Sequence, residues 1–382
     1  MKIKLKGNIE TVCYKSIDEI DKVIWNQFVS NDDFYKKYEF IQLIASTQTQ
    51  IQHRFVQLYQ NNSTIGFLYF QQIALDGKDI FEFINNNTSS IKRFLQKRYE
   101  KNAINILNLG NVFFTGDNGI ISAQETIIYP LLNKIFKCVC KTFDCKIHSF
   151  VIGDTPSVLT ENSCGFSFKQ FYTEPDMQLT LQANWLCFDD YLQALTSKYR
   201  VRTKKVLKGS SQIISKDFTY EAIVAYQNEI QALYDNVMQQ TNFKLTTLNT
   251  AMYSELSKLY ENKLVFKAYF LEDKLVGFAV IFLCLSNTMH IHYIGLNYEV
   301  NNDYKLYNRM LLDFVHLAID KRYSKIHFGR TATEIKSTIG AEPIPLNAFV
   351  KLNSWFNIVL KYAYQPNMES NYTIRHPFKN EM

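Results

Sequence analysis

Glycine is conspicuously scarce: 13 residues in a chain of 382, about half the usual share. No two of them form a G-x-G, and no G-x-x-x-x-G-K-[ST] occurs. Backbone amides that cradle a pyrophosphate need glycines at those spacings, so a mononucleotide or dinucleotide fold of the usual kind is not expected. The G-x-S-x-G elbow is missing too, which argues against Ser-His-Asp hydrolysis. There is no C-x-x-C pair, and the seven cysteines (13, 138, 140, 145, 164, 187, 284) are odd in number. Neither a disulfide framework nor a zinc ribbon follows from them. Cys138, Cys140 and Cys145 cluster in and just after an apolar helical segment, where small buried thiols are ordinary. His290 and His292 share one face of a predicted strand, but no third ligand stands near them, so no metal is expected. The start, MKIKLKGNIE, lacks the apolar run of a secretory signal. The longest apolar stretch, Leu275 to Leu285, is about half of what a membrane span requires. These absences predict a cytoplasmic protein with no transmembrane segment.

What the chain does have is hydrophobic mass. Apolar residues make up 47% and aromatics 15%, enough for two domains of ordinary size. The net charge of +6 permits an anionic partner without requiring one. The order of segments repeats. Residues 53–72 (HRFVQLYQNNSTIGFLYFQQ) and 264–283 (LVFKAYFLEDKLVGFAVIFL) each read as strand, polar turn, strand. Phe55 precedes Gly66-Phe67 as Phe266 precedes Gly277-Phe278. In the first half a strand ending at Gly110, a helix over 124–141 and a strand at 146–153 follow. In the second half a strand ending at Gly295, a helix over 304–321 and a strand at 325–329 follow. Leu306, Met310, Phe314, Leu317 and Ala318 share one face of that second helix. A stretch at 73–102 is inserted in the first copy. This grammar predicts an α/β (α+β) protein of two tandem domains, each a mixed central sheet flanked by helices, divided at 1–178 and 179–382.

The densest polar run is KIHFGRTATEIKSTIGAE, 325–342, where a strand passes into Gly329-Arg330. Polar residues just past a strand end are where such sheets place ligands. Arg330 offers a planar fork for phosphate or carboxylate, and Lys336 a mobile point charge. Glu334 is the carboxylate best placed to act as base toward an amine. A second run, 198–209, holds Lys198, Arg200, Arg202, Lys204, Lys205 and Lys208, a charge density suited to RNA phosphates or a pyrophosphate.

Phe328-Gly329-Arg330 followed by Lys336 resembles the signature of the predicted N-acyltransferases of the Fem-like superfamily. So do YKLYNRMLLDFVHLAI (304–319), YLQALTSKYRVRTKKVLKG (191–209) and the closing IRHPFK (374–379). The resemblance covers residues from about 176 onward by motif and the first half by pattern. It implies two tandem GNAT-like domains, with the active groove in the second, and transfer of an acyl or aminoacyl group to an amine. It extends to relatives that attach amino acids to peptidoglycan precursors, and so to an envelope precursor or other small-molecule or lipid-linked amine as acceptor. One departure matters. GNAT enzymes hold acetyl-CoA on a [RQ]-x-x-G-x-[GA] loop, whereas Gly295 to Tyr304 here has one glycine and two acidic residues, Glu299 and Asp303. The donor therefore stays open between acyl-CoA, or another thioester held differently, and aminoacyl-tRNA. The expected roles are an oxyanion held by backbone N–H near Gly295 and by Lys336, and Tyr304 as proton donor to the leaving group. Lys305, Arg309 and Arg330 would anchor anionic parts, and Tyr293 and His292 would line the pocket. Arg200, Arg202, Lys204 and Lys205 would meet the donor. The rival expectation is a GNAT-fold binding module that has lost catalysis and recognises an anionic ligand or a partner protein.

Overall fold

The computed structural model describes residues 3–5, 8–30, 33–76, 103–155, 168–241, 244–352 and 372–379. The insertion expected at 73–102 lies outside them beyond Asp76. The chain forms two compact units, neither of which is a single stretch. The first gathers Met1–Thr173, Asn242–Leu248 and Pro345–Glu369, and the second Glu174–Thr241, Asn249–Ile344 and Ser370–Met382. A cut at 178/179 falls inside strand β9 (Asp176–Thr180) of the second unit.

In the first unit β1 (Ile3–Lys4), β2 (Ile9–Tyr14), β3 (Gln52–Gln60), β4 (Ser63–Asp76) and β5 (Ala103–Leu109) lie side by side. Next come β7 (Ser149–Thr155), β16 (Asn347–Leu352) and β8 (Lys169–Tyr172), while β6 (Ile120–Ile121) pairs with β4. Among the described strands only β5 and β7 run parallel, which demands a crossover. Helix α3 (Leu132–Phe143) supplies it, burying Leu132, Ile135, Phe136 and Val139 against Leu107, Leu109, Phe150 and Ile152. The expected helix over 124–141 is broken because Pro130, without an N–H, interrupts it. Helices α1 (Lys22–Gln27) and α2 (Tyr38–Thr47) flank a second cluster, where Trp25, Tyr38 and Ile41 meet Phe55, Phe67 and Tyr69.

The second unit repeats the plan in the order β10 (Ile213–Asp217), β11 (Leu264–Leu271), β12 (Lys274–Leu283), β13 (Thr288–Leu296), β14 (Lys325–His327), β9, β15 (Glu342–Ile344). Again one pair is parallel, β13 and β14, bridged by α10 (Leu306–Asp320). Leu311, Val315 and Ile319 are buried along with the predicted Leu306, Met310, Phe314 and Ala318, so the apolar stripe is wider than expected. The shared glycines have a physical reason. Gly66 faces Leu58 where the first hairpin's register shifts, and Gly277 faces Tyr269 where the second's does.

The two sheets also trade a strand. The last described strand, β16, lies between β7 and β8 in the first unit. Strand β9, next in sequence after β8, lies between β14 and β15 in the second.

Candidate active site

Strand alternation splits the second sheet into two unlike faces. On one, Met177, Leu179, Ile281, Met289, Ile291 and Ile326 join Met310 and Phe314 of α10 in the main core. On the other, β9, β14 and β13 place Gln178, His327 and His290 abreast, since those residues are register partners. Asp176 and His292 extend this polar row at its two ends.

The row is internally bonded. His327 Nδ1 lies 2.7 Å from Asp176 Oδ2, and Gln178 Nε2 donates to the same oxygen at 2.9 Å. Burial is the largest single influence and would raise the Asp176 carboxyl, but the hydrogen bonds from His327 and Gln178 and the nearby imidazoles together outweigh it and hold the group below its ordinary value. Asp176 Oδ1 is buried without a hydrogen bond, which costs on the order of 1–3 kcal/mol. A carboxylate so placed works against stability, a mark of functional rather than structural placement. The His290 and His327 rings stack at 4.3 Å, and burial pushes His290 down to about 3, so it stays neutral. Toward the other end, His292 Nδ1 sits 3.2 Å from the hydroxyl of Tyr253, on helix α8 (Met252–Leu259). Tyr293 packs edge-on against Tyr234 of α7 (Gln227–Gln239).

Beside this row the sheet opens. β14 pairs with β13 only as far as His290 and His327, yet β13 runs on to Leu296. Past His327 the chain turns instead toward β9, with Phe328 N donating to Met177 O. A bulge at His292 and Tyr293, between the pairs Ile281/Ile291 and Ala279/Ile294, bends the same stretch of β13. The described strands of the first unit show no such opening. There β5 keeps its parallel partner to its final residue, Leu109. A turn from Gly110 to Gly119 then folds back, with Gly110 N donating to Tyr69 O and Tyr69 N to Gly119 O. A Cβ on Gly119 would lie 2.2 Å from Gly110 N, so that close approach needs glycine.

The residues nominated by sequence do not form one cluster. Lys336, on α11 (Thr333–Ser337), is buried, and its Nζ donates to the carbonyls of Phe328, Gly329 and Arg330 at 2.8, 2.9 and 2.8 Å. Burial draws it down to about 7, against Asp176 and Glu174, which favour its charge. With every proton on a carbonyl it clamps the strand-end loop and is not presented to an oxyanion. That loop needs a clamp, because Gly329, Thr331 and Ala332 all have positive φ. Glu334 is exposed and ion-paired with Arg375, so its carboxylate is engaged at the surface. Arg330 is half-buried and contributes its carbonyl to the Lys336 clamp. Gly295 serves packing: a Cβ there would sit 2.2 Å from the Phe278 ring and 2.9 Å from the backbone of Leu233.

The expected loop between Gly295 and Tyr304 is a helix, α9 (Tyr298–Tyr304), capped by Asn297, whose Oδ1 accepts from Val300 N. Tyr304 OH reaches Gln212 at 3.5 Å, and Lys305 takes the left-handed conformation that ends α9, its ammonium on Asn302 O. Arg309 on α10 is paired with Asp313 at 2.8 Å and donates to Ser210 O, tying α10 to the end of α5 (Ser197–Gly209). α10 packs on the apolar face, opposite the histidines. The basic run is α5, with Arg202, Lys204 and Lys205 exposed and Arg200 half-buried. Among the described residues no group of three or more His, Cys, Asp or Glu could hold a metal ion. No described helix is long and apolar enough to cross a membrane. Sequence reading missed Asp176 and His327; the available signal was a polar residue at every second place in two otherwise apolar strands, DMQL and KIHF.

A repeated sheet with one parallel, helix-bridged pair in each unit is a mixed α/β fold of the tandem GNAT-like kind. Among solved structures the chain is similar to FemX, with a TM-score of 0.52 at 10% identity over 89% of this chain and 98% of FemX. It is likewise similar to a tandem GNAT protein from the clavulanic acid biosynthesis pathway, with a TM-score of 0.51 at 7% identity over 90% of this chain and 98% of that one. At such identities the likeness is one of fold. No protein-family model and no curated protein matches the sequence.

Proposed function

We propose that the second unit transfers an acyl or aminoacyl group from an activated ester to an amine. The observation that supports this is the opening of the sheet beyond His290 and His327, bent by the bulge at His292 and Tyr293 and lined on one face by polar side chains. The oxyanion would be held where β13 runs on past β14, since backbone amides at a strand split suit a tetrahedral oxyanion. Tyr293 and His292 line the acyl or acceptor side, and Arg330 and Lys336 shape the adjoining loop. Tyr304 is retained as a contact to the donor and Glu334 as a charged group at the surface, with Lys305 and Arg309 as anion contacts near α9.

The donor reading rests on α9. A helix bearing Glu299 fills the place where a glycine loop would cradle pyrophosphate, which favours an RNA-borne ester over acyl-CoA. Arg200, Arg202, Lys204 and Lys205 would track its phosphates, and the acceptor is an amine, small or lipid-linked, of the kind found in envelope precursors. The test supplies charged tRNA and acyl-CoA in parallel with amine acceptors and follows amide formation. Neutralising those four cations should weaken tRNA binding and reduce its salt slope by up to about 3–4. An unchanged slope, or amide formed from acyl-CoA alone, would defeat the RNA-donor reading.

A further inference from the structure

We infer that His327, oriented by Asp176, is the group that takes the proton from the attacking amine. This deepens the acyl-transfer reading above and rests on it. His327 is the last residue of β14 and the last to pair with β13 before the strands part, so it stands at the lip of the opening. One ring nitrogen is committed: Nδ1 donates at 2.7 Å to a carboxylate that is 5% exposed and fixed from a second side by Gln178. The other, Nε2, has no protein partner among the described residues, and the side chain is 22% exposed, enough to meet a substrate. That is the arrangement a general base needs: one tautomer enforced, the lone pair of Nε2 free, and an anion behind the ring to stabilise the imidazolium.

The surroundings agree. From β13, His290 stacks on the ring as a neutral imidazole, adding no opposing charge. From β9 the facing groups are Asp176 and Gln178. Beyond Asp176, the Lys336 ammonium is occupied by three carbonyls, and its charge acts on the carboxylate together with that of Glu174. Within this group His327 alone combines a free basic atom with access.

The step balances without any further reactant. The amine nitrogen attacks the ester carbonyl carbon, forming the C–N bond and an oxyanion. Nε2 takes the proton that nitrogen must lose. The C–O bond to the leaving alcohol then breaks, and the alcohol leaves with a proton returned from the imidazolium. His327 is thus a catalytic residue and Asp176 a positioning residue.

The test has two arms. In turnover, His327→Gln should lose on the order of a hundredfold or more in kcat while donor binding holds. Asp176→Asn should lower kcat while donor binding holds and should release the His327 tautomer read in the second arm; a merely structural residue would leave that tautomer in place. Wild-type turnover in His327→Gln overturns the proposal. The second arm needs no substrate: nitrogen chemical shifts of labelled histidine in the whole protein should show His327 as the Nδ1–H tautomer, and an Nε2–H tautomer overturns the proposal. If the wild type makes no amide from any donor, the acyl-transfer reading fails, and the tautomer measurement still judges the pair.

Discussion

Two buried imidazoles contribute to the acid sensitivity of this protein at the level of single residues. His290 is pushed to about 3 and His53, in the first unit, to about 4, each chiefly by burial. In the unfolded chain both titrate near 6.5. Depressed folded values mean that the unfolded state binds protons first as pH falls. The stability carried by the neutral rings is therefore complete above about 6.5 and declines from there toward 4 for His53 and toward 3 for His290. The loss is on the order of 1 kcal/mol per pH unit for each ring. Urea unfolding at pH 7 and pH 5 should show the decline, and His290→Gln should make it shallower. An equal decline in the variant would place the acid sensitivity elsewhere.

Among the elements, the loop between β14 and α11 shows what a sequence motif can encode. Phe328-Gly329-Arg330 with Lys336 was legible as a unit, and its location past a strand end was legible too. The physical content was not: the lysine reaches back across its own turn to three carbonyls, a contact that composition cannot distinguish from a surface charge. Lys336→Met should therefore cost about 3 kcal/mol or more, because three buried acceptors lose their donor. An exposed lysine would cost well under about 1 kcal/mol. Chemical denaturation decides this, and wild-type stability would mean that the loop holds itself. The Asp176–His327 pair was hidden for a different reason, since its members stand 151 residues apart and meet only through the pairing of β9 with β14. Likewise the bulge at His292 and Tyr293 has no composition of its own; it comes from β12 and β13 falling out of step.

For the whole molecule, the repeated hairpin was readable because each copy sets a glycine at the same register shift. The traded strands were not, because β9 and β16 look like any short apolar strands and nothing local says which sheet each will join. The trade has a consequence for how the protein comes into being. The first unit is synthesised first, yet β16, which separates β7 from β8, is nearly the last strand made. At ribosomal speeds the delay between β8 and β16 is on the order of ten seconds or more. Through that interval β7 and β8 have no strand between them, and each offers an unpaired edge to other chains. A chain ending at Ile344 should reproduce that state: limited proteolysis should cut it within the first unit at sites the complete protein protects. If both chains resist equally, the sheet closes without its final strand. Otherwise the first half of this protein depends on the ribosome finishing the second.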